Sequence, residues 1–88
     1  MKVDLNFEIL DLDGKAINTA NKLIAGLLMS ETKGDAEKLY DWAIQLFSSK
    51  VIELDNSDFE RFKTLVKGSE RISIIAKAPI LKYLQNLK

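Results

Sequence analysis

An α+β fold, an N-terminal β-hairpin packed on a bundle of three to four helices, follows from three features of this 88-residue chain. Residues 3–9 alternate apolar and polar side chains, the period of a strand with one buried face. Asp13-Gly14 comes soon after, and such a pair tolerates the positive φ of a tight hairpin turn. Beyond Asn18 the apolar period becomes that of helices, punctuated by cap and turn residues at Asp35, Asp55 and Gly68. The length allows one domain, residues 1–88, with one modest core.

The hairpin spans about residues 2–17. Val3, Leu5, Phe7 and Ile9 point one way along a single strand, and Asp4, Asn6 and Glu8 the other. Two strands are marginal in water, so their apolar face must rest on helices. The first helix, about residues 19–30, is capped by Asn18 or Thr19. Ala20, Leu23, Ile24, Leu27 and Leu28 form its stripe, and Gly26 weakens it while leaving room for another element to come close. The second, about residues 35–48, starts at Asp35 and carries Leu39, Trp42, Ala43 and Leu46 at i, i+3, i+4, i+7. Tyr40, Ile44 and Phe47 make a second stripe beside the first, which places this helix centrally.

Val51 to Leu54 forms a short extended segment. The third helix, about residues 56–67, has the clearest start: Asp55 as N-cap, Asp58 at N3, and Leu54 with Phe59 as a hydrophobic staple. Ser57 with Glu60 is an alternative capping box. Phe59, Phe62, Leu65 and Val66 face inward, and the helix stops near Gly68. The last segment reads both ways: "RISII" alternates like a strand, while Ile72, Ala76, Ile80, Tyr83 and Leu87 fit a helix stripe. A helix over about residues 72–86, bent at Pro79, is favoured. From Ile72 to Leu84 apolar residues fall on nearly every side, so this segment is either deeply buried or half of an interface.

Apolar residues make up 47% and charged residues 30%, the balance of a soluble globular protein. With no Cys there is neither disulfide nor thiolate; with no His the commonest general base and zinc ligand are missing. No run approaches the roughly 18 apolar residues of a membrane span, and the N-terminus lacks the apolar region of a signal peptide. The expectation is a cytoplasmic protein with no membrane contact.

"DLDGK", residues 11–15, raises calcium binding. An EF-hand loop from Asp11 would put Lys15 at position 5, Ala16 at position 6 and Lys22 at position 12, where oxygen ligands and glycine are required. The stretch reads as a turn. The carboxylate pairs Asp55/Asp58, Asp58/Glu60 and Asp35/Glu37 sit at helix N-termini, where capping accounts for them. "KGSER" lacks the spacing of a phosphate loop, and there is no dinucleotide fingerprint. We therefore expect no enzyme, no cofactor and no metal.

The zero net charge hides an asymmetry. Residues 1–60 hold twelve acids against six bases, net −6; residues 61–88 hold one acid against seven bases, net +6. The plainer reading is two halves packed with complementary charge. The functional alternative is a nucleic-acid accessory protein that uses Lys63, Lys67, Arg71, Lys77 and Lys82, although no recognition-helix cluster accompanies them. Favoured over this is a non-catalytic interaction or assembly protein that binds a protein partner or itself, as a homodimer. Its expected surface is Ile72, Ile75, Pro79, Ile80, Tyr83 and Leu84.

The stretch "KLYDWAIQLF…VIELDNSDFERFKTLV…ISIIAKAPILKYL" resembles a diffuse group of small proteins encoded by tailed phages and prophages. Shared with it are a helix with a Lys/Tyr-rich opening, the acidic cap at Glu53-Leu54-Asp55, the run Leu65-Val66-Lys67, a final apolar helix, and the turn Leu12-Asp13-Gly14. The likeness covers most of the chain and brings no catalytic or ligand residue. Pro79 departs from the group, whose final helix is more polar in its middle. The resemblance implies a phage or prophage origin.

Overall fold

The computed structural model describes residues 1–87. In chain order these form β1 (Lys2–Val3), β2 (Glu8–Leu10), β3 (Ala16–Thr19), α1 (Ala20–Ser30), α2 (Ala36–Phe47), β4 (Ile52–Glu53), α3 (Asn56–Gly68) and α4 (Ile74–Gln85). The fold is α+β: among the described residues, four helices accompany two small two-stranded sheets.

The single strand expected over residues 3–9 is split. Its alternation holds, with Val3, Leu5 and Ile9 buried between exposed Asp4, Asn6 and Glu8. Its hydrogen-bond partners change midway. β1 pairs antiparallel with β4, Val3 opposite Ile52, while β2 pairs antiparallel with β3. Between them the Phe7 N–H donates to the Leu5 carbonyl, and the Leu5 and Phe7 carbonyls accept from the Asn21 and Ala20 N–H groups, each at 2.9 Å. The first N–H groups of a helix lack intrahelical acceptors. Here the broken strand supplies them, and the N-cap Thr19 makes no side-chain cap bond.

The hairpin turn falls where expected. Gly14, at φ +85°, donates to the Asp11 carbonyl at 3.0 Å, and the Asp11 carboxylate accepts from the Asp13 and Lys15 N–H groups, both at 2.9 Å. The Asp11 carboxylate is therefore engaged in holding its own turn. Ile9 lies opposite Asn18 and Leu10 opposite Ala16, so Ile17 is the extra residue of a bulge.

Asp35 caps α2 by accepting from the Lys38 N–H at 3.2 Å, and Asp55 caps α3 by accepting from the Asp58 N–H at 2.7 Å. Leu54 and Phe59 are both buried, as a hydrophobic staple requires. The end of α2 is a Schellman turn: Lys50 donates to the Gln45 carbonyl at 2.9 Å and Ser49 to that of Leu46 at 3.0 Å. Asn21 on α1 donates to the same Leu46 carbonyl at 2.8 Å, and Asn6 to that of Ser49 at 3.0 Å, fastening the turn to the rest of the fold.

Ser49 has φ +63° in this turn. Left-handed backbone disfavours any residue with a Cβ by roughly 1–2 kcal/mol, partly offset by the extra freedom of an unfolded glycine. Ser49→Gly is therefore expected to stabilise the protein by about 0.5–1 kcal/mol. A higher urea midpoint with an unchanged slope would show it.

α3 ends at Gly68, though not through a glycine in the left-handed region, since of the glycines only Gly14 and Gly34 have positive φ. The Lys77 ammonium reaches back from α4 and donates to the Lys67 carbonyl at 3.4 Å and to the Ser69 carbonyl. α4 starts two residues later than expected and runs through Pro79. Proline has no N–H, so the Ile75 carbonyl loses its helical donor.

The core is one cluster. Phe59, Phe62 and Val66 of α3, Trp42 and Leu46 of α2, Ile24 and Leu28 of α1 and Ile80 and Leu84 of α4 meet Val3, Leu5, Ile9, Ile52 and Leu54 in it.

Candidate protein-interaction surface

α1 and α2 form an antiparallel pair, joined at one end by the bond from Asn21 to Leu46. Ile24, Leu27 and Leu28 of α1 and Leu39, Trp42 and Leu46 of α2 turn into the core. Helical spacing then sends Lys22, Gly26 and Met29 outward from α1, and Tyr40, Ile44 and Phe47 outward from α2. None of the described residues covers them: Met29 is 56% exposed, Tyr40 56%, Ile44 46% and Phe47 63%. A groove of about 320 Å³ runs between the two rows, lined by Lys22, Ala25, Gly26, Met29, Ala43, Ile44 and Phe47. A second hollow, of about 250 Å³, continues it past Met29 and Tyr40 to Glu31 and Lys33.

Gly26 lies mid-helix in the wall of this groove, and a Cβ added there would meet nothing within 4 Å. Nothing in the monomer requires a glycine at that position, and glycine weakens a helix by roughly 1 kcal/mol relative to alanine. The large exposed side chains surround a floor of small ones, a shape that accepts an inserted side chain.

The stripe Tyr40–Ile44–Phe47 is visible in the sequence, but the central position it suggests for α2 is not what the fold builds. α3 lies on the inner side of α2, with Phe62 against Trp42, so one stripe of α2 is buried and the other faces solvent. The sequence signal that marks this surface is the combination of a doubled stripe on α2 with a glycine on α1.

The surface expected from the C-terminal segment is mostly core. Ile72, Ile80 and Leu84 are buried, and Ile75 is half-buried. Tyr83 is also half-buried: its hydroxyl accepts from the Asp4 N–H at 2.8 Å, and its ring centroid lies 5.4 Å from that of Phe7. Of the six residues, Pro79 alone is fully on the outside. The physical reason is that the hairpin and α3 need a wall, and α4 supplies it. Its outer side keeps Ile74, 80% exposed.

The basic residues also divide. Lys63 pairs with Glu60 at 3.8 Å and lies 5.4 Å over the Phe59 ring, and Lys77 holds the end of α3. Lys67, Arg71 and Lys82 are exposed. A third cleft, of about 390 Å³, has Leu39, Trp42 and Leu65 in its lining with Lys38 and Arg61 at its rim. Lys38 is held by Asp58 at 3.1 Å.

Among the described residues no three His, Cys, Asp or Glu side chains are grouped to hold a metal ion, and no helix is long and apolar enough to cross a membrane. No family model, curated protein or solved structure matches the chain.

Proposed function

We propose that this chain is a small non-catalytic interaction or assembly protein of phage or prophage origin, acting in the cytoplasm of a bacterial cell. Its contact surface is the outer face of α1 and α2. The observation that carries this reading is the run of Met29, Tyr40, Ile44 and Phe47, each about half exposed or more, along one groove with a glycine in its wall. Isolated apolar residues on a surface need no explanation, but four large ones on two adjoining helices form a patch of the kind that partners cover. The phage origin rests on the resemblance of the capped helices and the hairpin turn. The nucleic-acid reading has less support, because two of its five basic residues are engaged within the fold.

The test is a comparison of the native chain with the Ile44→Glu/Phe47→Glu variant, each immobilised and incubated with host-cell lysate. Both positions are exposed, so the variant is expected to fold with native Trp42 emission. Proteins retained by the native chain and lost by the variant are expected. An identical retained set from both would sink the reading.

A further inference from the structure

We infer that the cleft between α2, α3 and the loop joining α1 to α2 is a separate binding site for a small organic anion, a flat apolar body that carries one carboxylate. The outer face of α1 and α2 takes no part in it. The floor of the cleft and its rim each select one half of this ligand.

The floor selects the apolar body. Leu39 and Trp42 of α2 each keep 7% of their surface exposed, and Leu65 of α3 is half-buried beside them. These three side chains bring no charge to the cleft. Its volume, about 390 Å³, lies in the lower part of the range of about 300–1,000 Å³ usual for small-molecule sites. A flat ring lying there meets two helices and a loop at once.

The rim selects the charge. Its bases are Lys33, Lys38 and Arg61, and its acids Glu31 and Asp35. Asp35 is engaged as the cap of α2. Asp58 stands three residues before Arg61 on α3, a spacing at which helical ion pairs form. Both of its oxygens are taken instead by the Lys38 ammonium, at 3.1 and 3.2 Å. Among the described residues Arg61, Lys33 and Glu31 have no ion-pair partner. Glu31 and Lys33 sit together on the loop and offset one another. Arg61 is left as the uncompensated charge, one guanidinium at the mouth of an apolar cleft. A guanidinium is planar and matches a carboxylate through two parallel hydrogen bonds, so a single carboxylate completes the rim.

The experiment is an NMR titration of the isotopically labelled full chain with naphthylacetate, against its neutral amide and the cationic naphthylethylamine. The anion is expected to move the Trp42 indole signal and the Arg61 and Leu65 amide signals saturably, with a Kd of about 1 mM or below. The amide is expected to bind severalfold more weakly, and the amine more weakly still. Arg61→Gln is expected to abolish the preference for the anion, and Arg61→Glu to reverse it in favour of the amine. Arg61 is exposed, so both variants are expected to keep the native dispersion of signals. The Ile44→Glu/Phe47→Glu variant is expected to bind the anion as the native chain does, so this site stands or falls apart from the contact surface. No saturable shift up to about 10 mM, equal binding of anion and amide, or indifference to Arg61→Gln overturns the inference. Loss of binding in the Ile44→Glu/Phe47→Glu variant overturns it as well, because the anion would then lie on the outer face.

Discussion

Phe62→Ala is expected to remove a large share of the stability of this protein. The ring is fully buried, and Trp42 packs edge-on against it, with centroids 6.0 Å apart and planes at 72°. Truncating a buried phenylalanine costs about 3–5 kcal/mol, from lost transfer energy and the cavity left behind. A chain of this length has roughly 4–13 kcal/mol in total, at the usual share per residue. The loss is therefore between about a quarter and the whole of it. Trp42 is the one tryptophan in the sequence, so its emission reports the site directly. In urea the midpoint should fall steeply, and in buffer the emission should shift to the red as water reaches the indole. A midpoint close to that of the native chain would show that Phe62 does not hold the core together.

Ile80→Ala should cost about 2–5 kcal/mol, while Ile74→Ala, less than two turns away on the same helix, should change stability by less than about 0.5 kcal/mol. Ile80 is fully buried and Ile74 is 80% exposed. The pair separates the two roles open to an apolar helix. If α4 were an interface held out to solvent, both truncations would be mild in the monomer. If it is a core wall, only the inward residue matters. Equal effects from the two, read from urea midpoints at matched slopes, would contradict the role of α4 as a core wall.

What the sequence made legible was chemistry that acts over a few residues. Asp35 and Asp55 cap helices because a carboxylate three residues before a free N–H has one good use there. Gly14 takes positive φ because the turn around Asp11 requires it. The sequence left open what depends on distant neighbours. Alternation along residues 3–9 says which side chains are buried, and it says nothing of which strand receives the hydrogen bonds, so the division between β4 and β3 was hidden. The two stripes of α2 look alike in one dimension. Which becomes core depends on where α3 comes to rest, and that is decided by residues twenty positions further on. α4 is apolar nearly all round, so periodicity cannot choose its inner side. The same all-round apolarity gives a core wall the look of an interface, while the doubled stripe gives the exposed side of α2 the look of core.

The pairing of β1 with β4 has a consequence in time. Val3 waits for Ile52, 49 positions later in the chain. A ribosome adding about 5–20 residues per second needs several seconds to make that interval. The α1–α2 pair, built from nearby segments, closes on the microsecond scale once both helices exist. Through those seconds Val3 and Leu5 have only part of their eventual neighbours, and docking of β1 must follow the release of β4. Refolding from denaturant lifts this order, since all segments are then present at once. Synthesis and refolding should therefore differ at the edge formed by residues 2–5, where amide protection on the ribosome would be gained only after that of the α1–α2 pair.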